Sequence, residues 1–429
     1  MATSLDSCRA TREKTKMTFA RRDFLKTVGG VAAVGLVAAK AAAQEPVAAE
    51  AAPTAFSFDD NRVPMNAANF CPMPNSVNAA VSNNLASQQR DLSGPNRRRI
   101  VALKENGRER IAAMLGTTGD NIAIVRNTSE ANNIIVQGLP LNDGDEILLW
   151  DQNHPSNGVA WDVRAARDGL STRKFSLPDD PGSVEEVVDH IVAELGPRTK
   201  VISFTHISNI TGFRLPAKEI CAAIKQKAAV HVHVDGAQTW GAVDIDLSDI
   251  GCDSFSASSH KWFMGPRESG ILYVANESIE AIWPHIVSIP WGNGVQTSQV
   301  GARKFEALGQ RDNASLAALD AAADFHERVT PAGVEQQSMA ISDYLREGTA
   351  ELGVPMISPT NPDFTSSVVI LRGQREQLIQ LVGEILQDAG VIVAPVNGLR
   401  LSPHIYNSTE HIDRVVASIA KFRHLLPAV

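Results

Sequence analysis

Apolar residues follow two rhythms along this chain. Short, mainly apolar stretches, EILLW (146–150), KVISFTHI (200–207), VHVHVD (230–235) and GILYV (270–274), read as buried strands. Between them the period becomes helical. In SVEEVVDHIVAEL, residues Val184, Val187, Val188, Ile191, Val192 and Leu195 fall on one stripe, which Gly196-Pro197 closes. LPAKEICAAIKQ (215–226) repeats the pattern between two strands. Such alternation predicts an α/β class, a mainly parallel sheet sandwiched by helices, with ligands at the carboxyl ends of its strands. Beyond about residue 310 helical patterns dominate, broken by FTSSVVIL (364–371) and VIVAPVNGLRLSPHIY (391–406), as in a smaller α+β domain. The expected division is a large α/β domain over 65–309 and a small C-terminal α+β domain over 310–429.

The first residues do not fit either rhythm. Arg21-Arg22-Asp23-Phe24-Leu25-Lys26, a weakly apolar Gly/Ala-rich run over 27–39, and Ala41-Ala42-Ala43 read as a twin-arginine signal peptide over 1–43, cleaved near Ala43. The apolar run is shorter than the roughly 20 residues a membrane span needs, so no stable membrane insertion is expected after cleavage. Met17, directly before the pattern, is an alternative start to Met1. An Ala/Pro-rich lead-in over 44–64 follows. Export to the periplasm through the twin-arginine machinery, which carries folded proteins, suggests a cofactor loaded in the cytoplasm.

Composition narrows the partners. With 429 residues and 44% hydrophobic side chains the chain can bury a large core, and a net charge of −8 gives no footprint for nucleic acid. A small-molecule partner is expected. Outside the signal, Cys71, Cys221 and Cys252 are too sparse for a disulfide framework or a metal site.

Polar residues recur where strands should end. Asp235 closes VHVHVD, with Gln238 one turn later, and a buried carboxylate there needs a cation. After another strand, SFSAS, comes Lys261 within SASSHKWFMGPRESG. The pair could be structural, or the lysine could be desolvated for Schiff-base chemistry. Over HVDGAQTWGAVDIDLSDIGCDSFSASSHKWFMGP, and more loosely from about residue 65 to the end, the sequence resembles the class V aminotransferases, the fold-type I pyridoxal phosphate (PLP) enzymes, in particular their isopenicillin N epimerase-like branch.

That resemblance implies a seven-stranded-type large domain and assigns roles. Lys261 would form the Schiff base with PLP and act as the base at Cα, Asp235 would hold the pyridine nitrogen protonated, and Gln238 would bond the phenolate oxygen. IAIVRNTSEANNIIVQGL (122–139) reads as a strand, a turn and a helix whose free N–H groups at Thr128 and Ser129 suit a phosphate, with Asn127 and Glu130 as a capping box. Ser258 and His260 are implied phosphate contacts, His154 in DQNHPSNGVAW the ring-stacking residue and a possible proton carrier, and Asn209 a neighbour of the phenolate or substrate. Arg400, in GLRLSPHIYNS, would grip the α-carboxylate of an amino-acid or peptide-type substrate with its planar fork.

Two positions depart from the family pattern: Gln310 stands where a threonine often reaches the neighbouring subunit's phosphate, and Glu268 where a glycine follows the lysine loop. The expected reaction is transamination, with epimerisation or elimination as alternatives, in a homodimer. Cysteine desulfurase is excluded at this stage because no cysteine follows Cys252 and Cys71 sits near the N-terminal entry. A catalytically idle PLP-fold binding protein is the alternative class, and the joint presence of Lys261, Asp235, His154 and Arg400 argues against it.

Overall fold

The computed structural model describes residues 55–59 and 61–427; the signal peptide read over 1–43 and most of the lead-in lie outside them. Seven strands build the main sheet: β2 (Ile122–Val125), β3 (Glu146–Trp150), β4 (Ser171–Phe175), β5 (Thr199–Thr205), β6 (His231–Asp235), β7 (Ser254–Ser258) and β8 (Gly270–Val274). A short β1 (Val63–Pro64) precedes them. The strand order is β2-β8-β7-β6-β5-β3-β4. Only β8 runs against its neighbours; every other pairing is parallel. The mainly parallel sheet expected from the sequence is therefore present, and β6, β7 and β8 are buried almost end to end, although only β8 reads as an unbroken apolar run.

Helices cover the sheet: α1 (Asn75–Arg90), α2 (Gly94–Met114), α3 (Thr128–Gly138), α4 (Pro155–Asp168), α5 (Val184–Ala193) and α6 (Ala217–Lys227). Helix α5 begins behind the Ser183 cap, buries Val187 and Ile191, and ends at Ala193, one turn before the Gly-Pro stop. The last turn tightens there, the Glu194 N–H reaching back only three residues to the Ile191 carbonyl.

The C-terminal part carries the helices Pro331–Glu351, Arg375–Asp388 and Thr409–Lys421 against a separate core that includes Leu345, Leu381 and Ile412. The stretch 364–371 contributes only β9 (Val369–Leu371), and 391–406 divides into β10 (Val391–Ile392), β11 (Ala394–Pro395) and β12 (Leu399–Leu401). Asn397, in the left-handed region at φ 55°, and Gly398 turn the chain between β11 and β12. Strands β11, β12 and β9 form an antiparallel sheet, and β1 pairs with β10.

Gly241 shows how tightly the chain is drawn in beside the lysine turn. At φ 87° it brings its backbone so close to Phe263 that a Cβ would lie 2.4 Å from the Phe263 Cα, and Trp240 stacks on the Phe263 ring at 3.9 Å. Only glycine satisfies both the dihedral and the approach.

Candidate active site

Because all strands but β8 point the same way, the segments leaving β2, β3, β5, β6 and β7 gather at one edge of the sheet. A cavity of about 270 Å³ opens there. It is lined by Thr128, Ser129, His154, Asn209, Asp235, Gln238, Ser258, His260 and Lys261, so nine of the residues picked from sequence come together. Arg400 reaches the same place from β12, donating from Nη1 to the Asn209 carbonyl at 3.2 Å.

Asp235 is buried at the end of β6, where its Oδ1 accepts the Ala237 N–H at 3.0 Å and its Oδ2 accepts Asn132 Nδ2 at 2.9 Å. Lys261 retains some surface through the cavity, but its amine lies deep enough that burial lowers it to about 8 against the opposing pull of Asp235, with Arg400 adding to the lowering. A lysine amine poised near neutrality can be both nucleophile and base.

The start of α3 forms the other end. Asn127 caps the helix by accepting the Glu130 N–H at 2.9 Å. The capping box is only half made, because the Glu130 carboxylate reaches Arg126 instead, accepting its N–H at 2.6 Å and its guanidinium. Thr128 N donates to Ser258 Oγ at 2.8 Å and the two hydroxyls meet at 2.7 Å. Two hydroxyls at the positive end of a helix make an anion cradle.

His154 caps α4, its Nδ1 accepting the Ser156 N–H, which leaves the proton on Nε2. Partial burial lowers its pKa, and Lys261 and Arg400 add to this while Asp235 opposes it. His260 packs face to face with Phe70 at 6.1 Å, and burial, helped by Lys261 and Arg267, lowers it to about 4. Gln238 donates from Nε2 to the Ala68 carbonyl and accepts the Trp262 indole N–H at Oε1, so what it can offer a bound molecule is its second amide hydrogen. At the departures from the family pattern, Glu268 holds φ 54°, the left-handed conformation a glycine would take freely, and Gln310 is exposed.

Arg400 is buried, yet no carboxylate pairs with it among the described residues. Its other bond runs from Nη2 to Asn66 Oδ1 at 3.2 Å, its Nε has no partner, and burial lowers its pKa to about 10. A buried guanidinium without an anion is costly, so the position is built to receive one.

A sequence model of the class-V aminotransferases matches residues 76–415. The chain belongs to that family. Isopenicillin N epimerase of Streptomyces clavuligerus is 29% identical over 382 residues, 84% of this chain and 95% of that protein. A cysteine desulfurase of Enterobacter sp. (strain 638) is 29% identical over 347 residues, 75% of this chain and 83% of that protein. In structure, a cysteine desulfurase from Escherichia coli matches with a TM-score of 0.77 at 22% identity, over 89% of this chain and all of that one. This class-V aminotransferase is thus a PLP-dependent enzyme.

Its residues fit that cofactor. The cavity offers a depressed lysine amine for an aldehyde, a buried carboxylate for a ring nitrogen and a hydroxyl-lined helix start for a phosphate.

The relatives correct the reaction reading drawn from the sequence, which put transamination first and excluded a cysteine desulfurase. Desulfurases stand among the matching proteins over three quarters of the chain, so the spacing of the cysteines does not exclude that activity. Cys71, remote in sequence from the lysine, packs behind the lysine turn. Its N–H donates to the His260 carbonyl at 2.9 Å and its Sγ lies 3.5 Å from the Tyr406 hydroxyl, while burial pushes the thiol up to about 12. Sequence reasoning also missed Asn66, Asn132 and the Asn209 carbonyl. The one available signal was VHVHVD, whose alternate positions are polar although the strand is buried on both faces.

Proposed function

We propose that this enzyme takes an α-amino acid, holds its carboxylate with Arg400 and moves the Cα proton with Lys261. The observation that carries the reading is Arg400, buried without an anion at the edge of a cavity that also holds a lysine of lowered pKa. Bound PLP supplies an electron sink for charge at Cα. The chain's own residues do the rest: Arg400, steadied by Asn66 and the Asn209 carbonyl, sets the carboxylate; Lys261 Nζ takes the proton; His154, protonated at Nε2, is a second group at the cavity.

Inversion at Cα is the outcome best supported, since the isopenicillin N epimerase relative spans 84% of the chain. Carbon–sulfur cleavage is the second reading, favoured by the cysteine desulfurase relative that matches three quarters of the chain. Proton NMR of the holoenzyme in D2O with L-amino acids, cysteine and short peptides decides between them. Loss of the Cα signal with appearance of the opposite stereoisomer is expected, whereas conversion of cysteine to alanine would select the second reading. Equal exchange in amines lacking a carboxylate would sink the role given to Arg400.

We further propose that the mature enzyme is a periplasmic homodimer. The Arg21-Arg22 pattern supports export, and the segment 283–300, with Trp283 61%, Ile289 95% and Val295 81% exposed, supplies an apolar surface for a second copy. Cell fractionation followed by size-exclusion chromatography is expected to find a dimer in the periplasm and an Arg21→Lys/Arg22→Lys variant retained in the cytoplasm. A monomer, or export of the variant, would contradict this.

A further inference from the structure

Asp235 is tied to a run of buried polar groups that the reaction leaves unused. Asn132, one turn into α3, donates from Nδ2 to Asp235 Oδ2 at 2.9 Å. Its Oδ1 meets His233 Nε2 at 3.0 Å and the Ser256 hydroxyl. His233 Nδ1 meets Ser254 Oγ at 2.8 Å, and Ser254 Oγ meets His231 Nε2 at 2.9 Å. Asn132, His233, Ser254 and Ser256 are wholly buried, so a bond left unmade costs about 1–3 kcal/mol with no water to replace it.

With Asp235 as a carboxylate, one arrangement of protons satisfies every bond. The carboxylate can only accept, so the Asn132 amide nitrogen faces it and the amide oxygen must accept from both His233 and Ser256. His233 then carries its proton on Nε2, its Nδ1 accepts the Ser254 hydroxyl, and Ser254 accepts from His231. Burial lowers His233 to about 3 and His231 to about 4, so both rings are neutral, as this arrangement requires. Asp253 and Lys225 act on His231 from outside the run, and Lys261 and His154 face Asp235 from the cavity.

Asn132 also lies four residues after Thr128, on the same face of α3. One helix therefore fixes both the anion cradle and the carboxylate at the opposite end of the site. The geometry points to Asn132 and His233 as positioning residues for the cofactor: the Asn132 amide, locked in orientation by His233, holds the Asp235 side chain fixed toward the site so that the pyridine nitrogen of bound PLP stays protonated.

The test needs no substrate and so stands apart from the reaction assigned above. Holoenzyme is reconstituted with PLP labelled with nitrogen-15 in the ring, and the nitrogen chemical shift reports whether the ring is protonated. The wild-type ring is expected to be protonated, and Asn132→Leu and His233→Phe to move the shift toward the neutral ring. His233→Gln, whose amide can still donate to Asn132 Oδ1, is expected to stay near wild type. Where turnover is followed, kcat is expected to fall roughly 10- to 100-fold in the first two variants, as for other outer-shell partners, with KM little changed. A folded Asn132→Leu enzyme with the wild-type nitrogen shift overturns the proposal, and so does a neutral ring in the wild type. Should His233→Gln shift as far as His233→Phe, the part given to His233 falls. If the larger changes prevent folding, Ser254→Ala removes only the hydroxyl that fixes the His233 tautomer; a partial shift supports the proposal and an unchanged one overturns it.

Discussion

Replacing Lys261 by alanine is expected to lower turnover by roughly 10³- to 10⁴-fold, the scale of losing a positioned acid–base and nucleophilic group. The change removes an amine that burial has brought to about 8 and that Asp235 stabilises in its charged form. Fold should survive, because Lys261 retains partial exposure and sits in a turn rather than in the apolar core. Steady-state kinetics on purified, folded variant decides the matter. Turnover within about tenfold of wild type would remove the lysine from the centre of the chemistry.

The second large effect is expected at Arg400. Truncation to alanine should reduce kcat/KM for α-amino acids by about 2–5 kcal/mol, roughly 30-fold to several thousandfold, mostly through KM. The sign follows from the free enzyme. Arg400 pairs with no carboxylate among the described residues, so its removal leaves no buried charge uncompensated; the Asn209 carbonyl and Asn66 Oδ1 each lose a donor, and the larger loss falls on the bound substrate. Arg400→Lys should recover only part of the loss, since an ammonium cannot match both oxygens of a carboxylate. If only cofactor affinity changes, Arg400 does not hold the substrate.

Both predictions rest on residues that were legible in the sequence, and the reason is local. The valines of VHVHVD mark a buried strand, so a carboxylate at its end, Asp235, calls for a partner, and Lys261 follows within a long characteristic segment. The contacts that steady these residues left little trace. Asn66 meets Arg400 across 334 positions, Cys71 meets Tyr406 across 335, and Asn132 meets Asp235 across 103; no period or spacing encodes such meetings. The Glu130 carboxylate was placed on the right turn but one amide away from its partner, because propensity fixes a helix start and side-chain reach selects among neighbouring donors.

The pairing of β1 with β10, together with the Asn66–Arg400 bond, has a consequence for how the protein is made. The first described strand emerges from the ribosome long before its partner. At about 5–20 residues per second, the 334 positions between Asn66 and Arg400 take roughly 20 to 70 s to synthesise. During that interval Arg400 does not exist and β1 lacks β10 to pair with. The pocket is therefore completed late: a nascent chain can assemble the strands around Asp235 and Lys261, while the carboxylate grip proposed for Arg400 waits until that residue has been made.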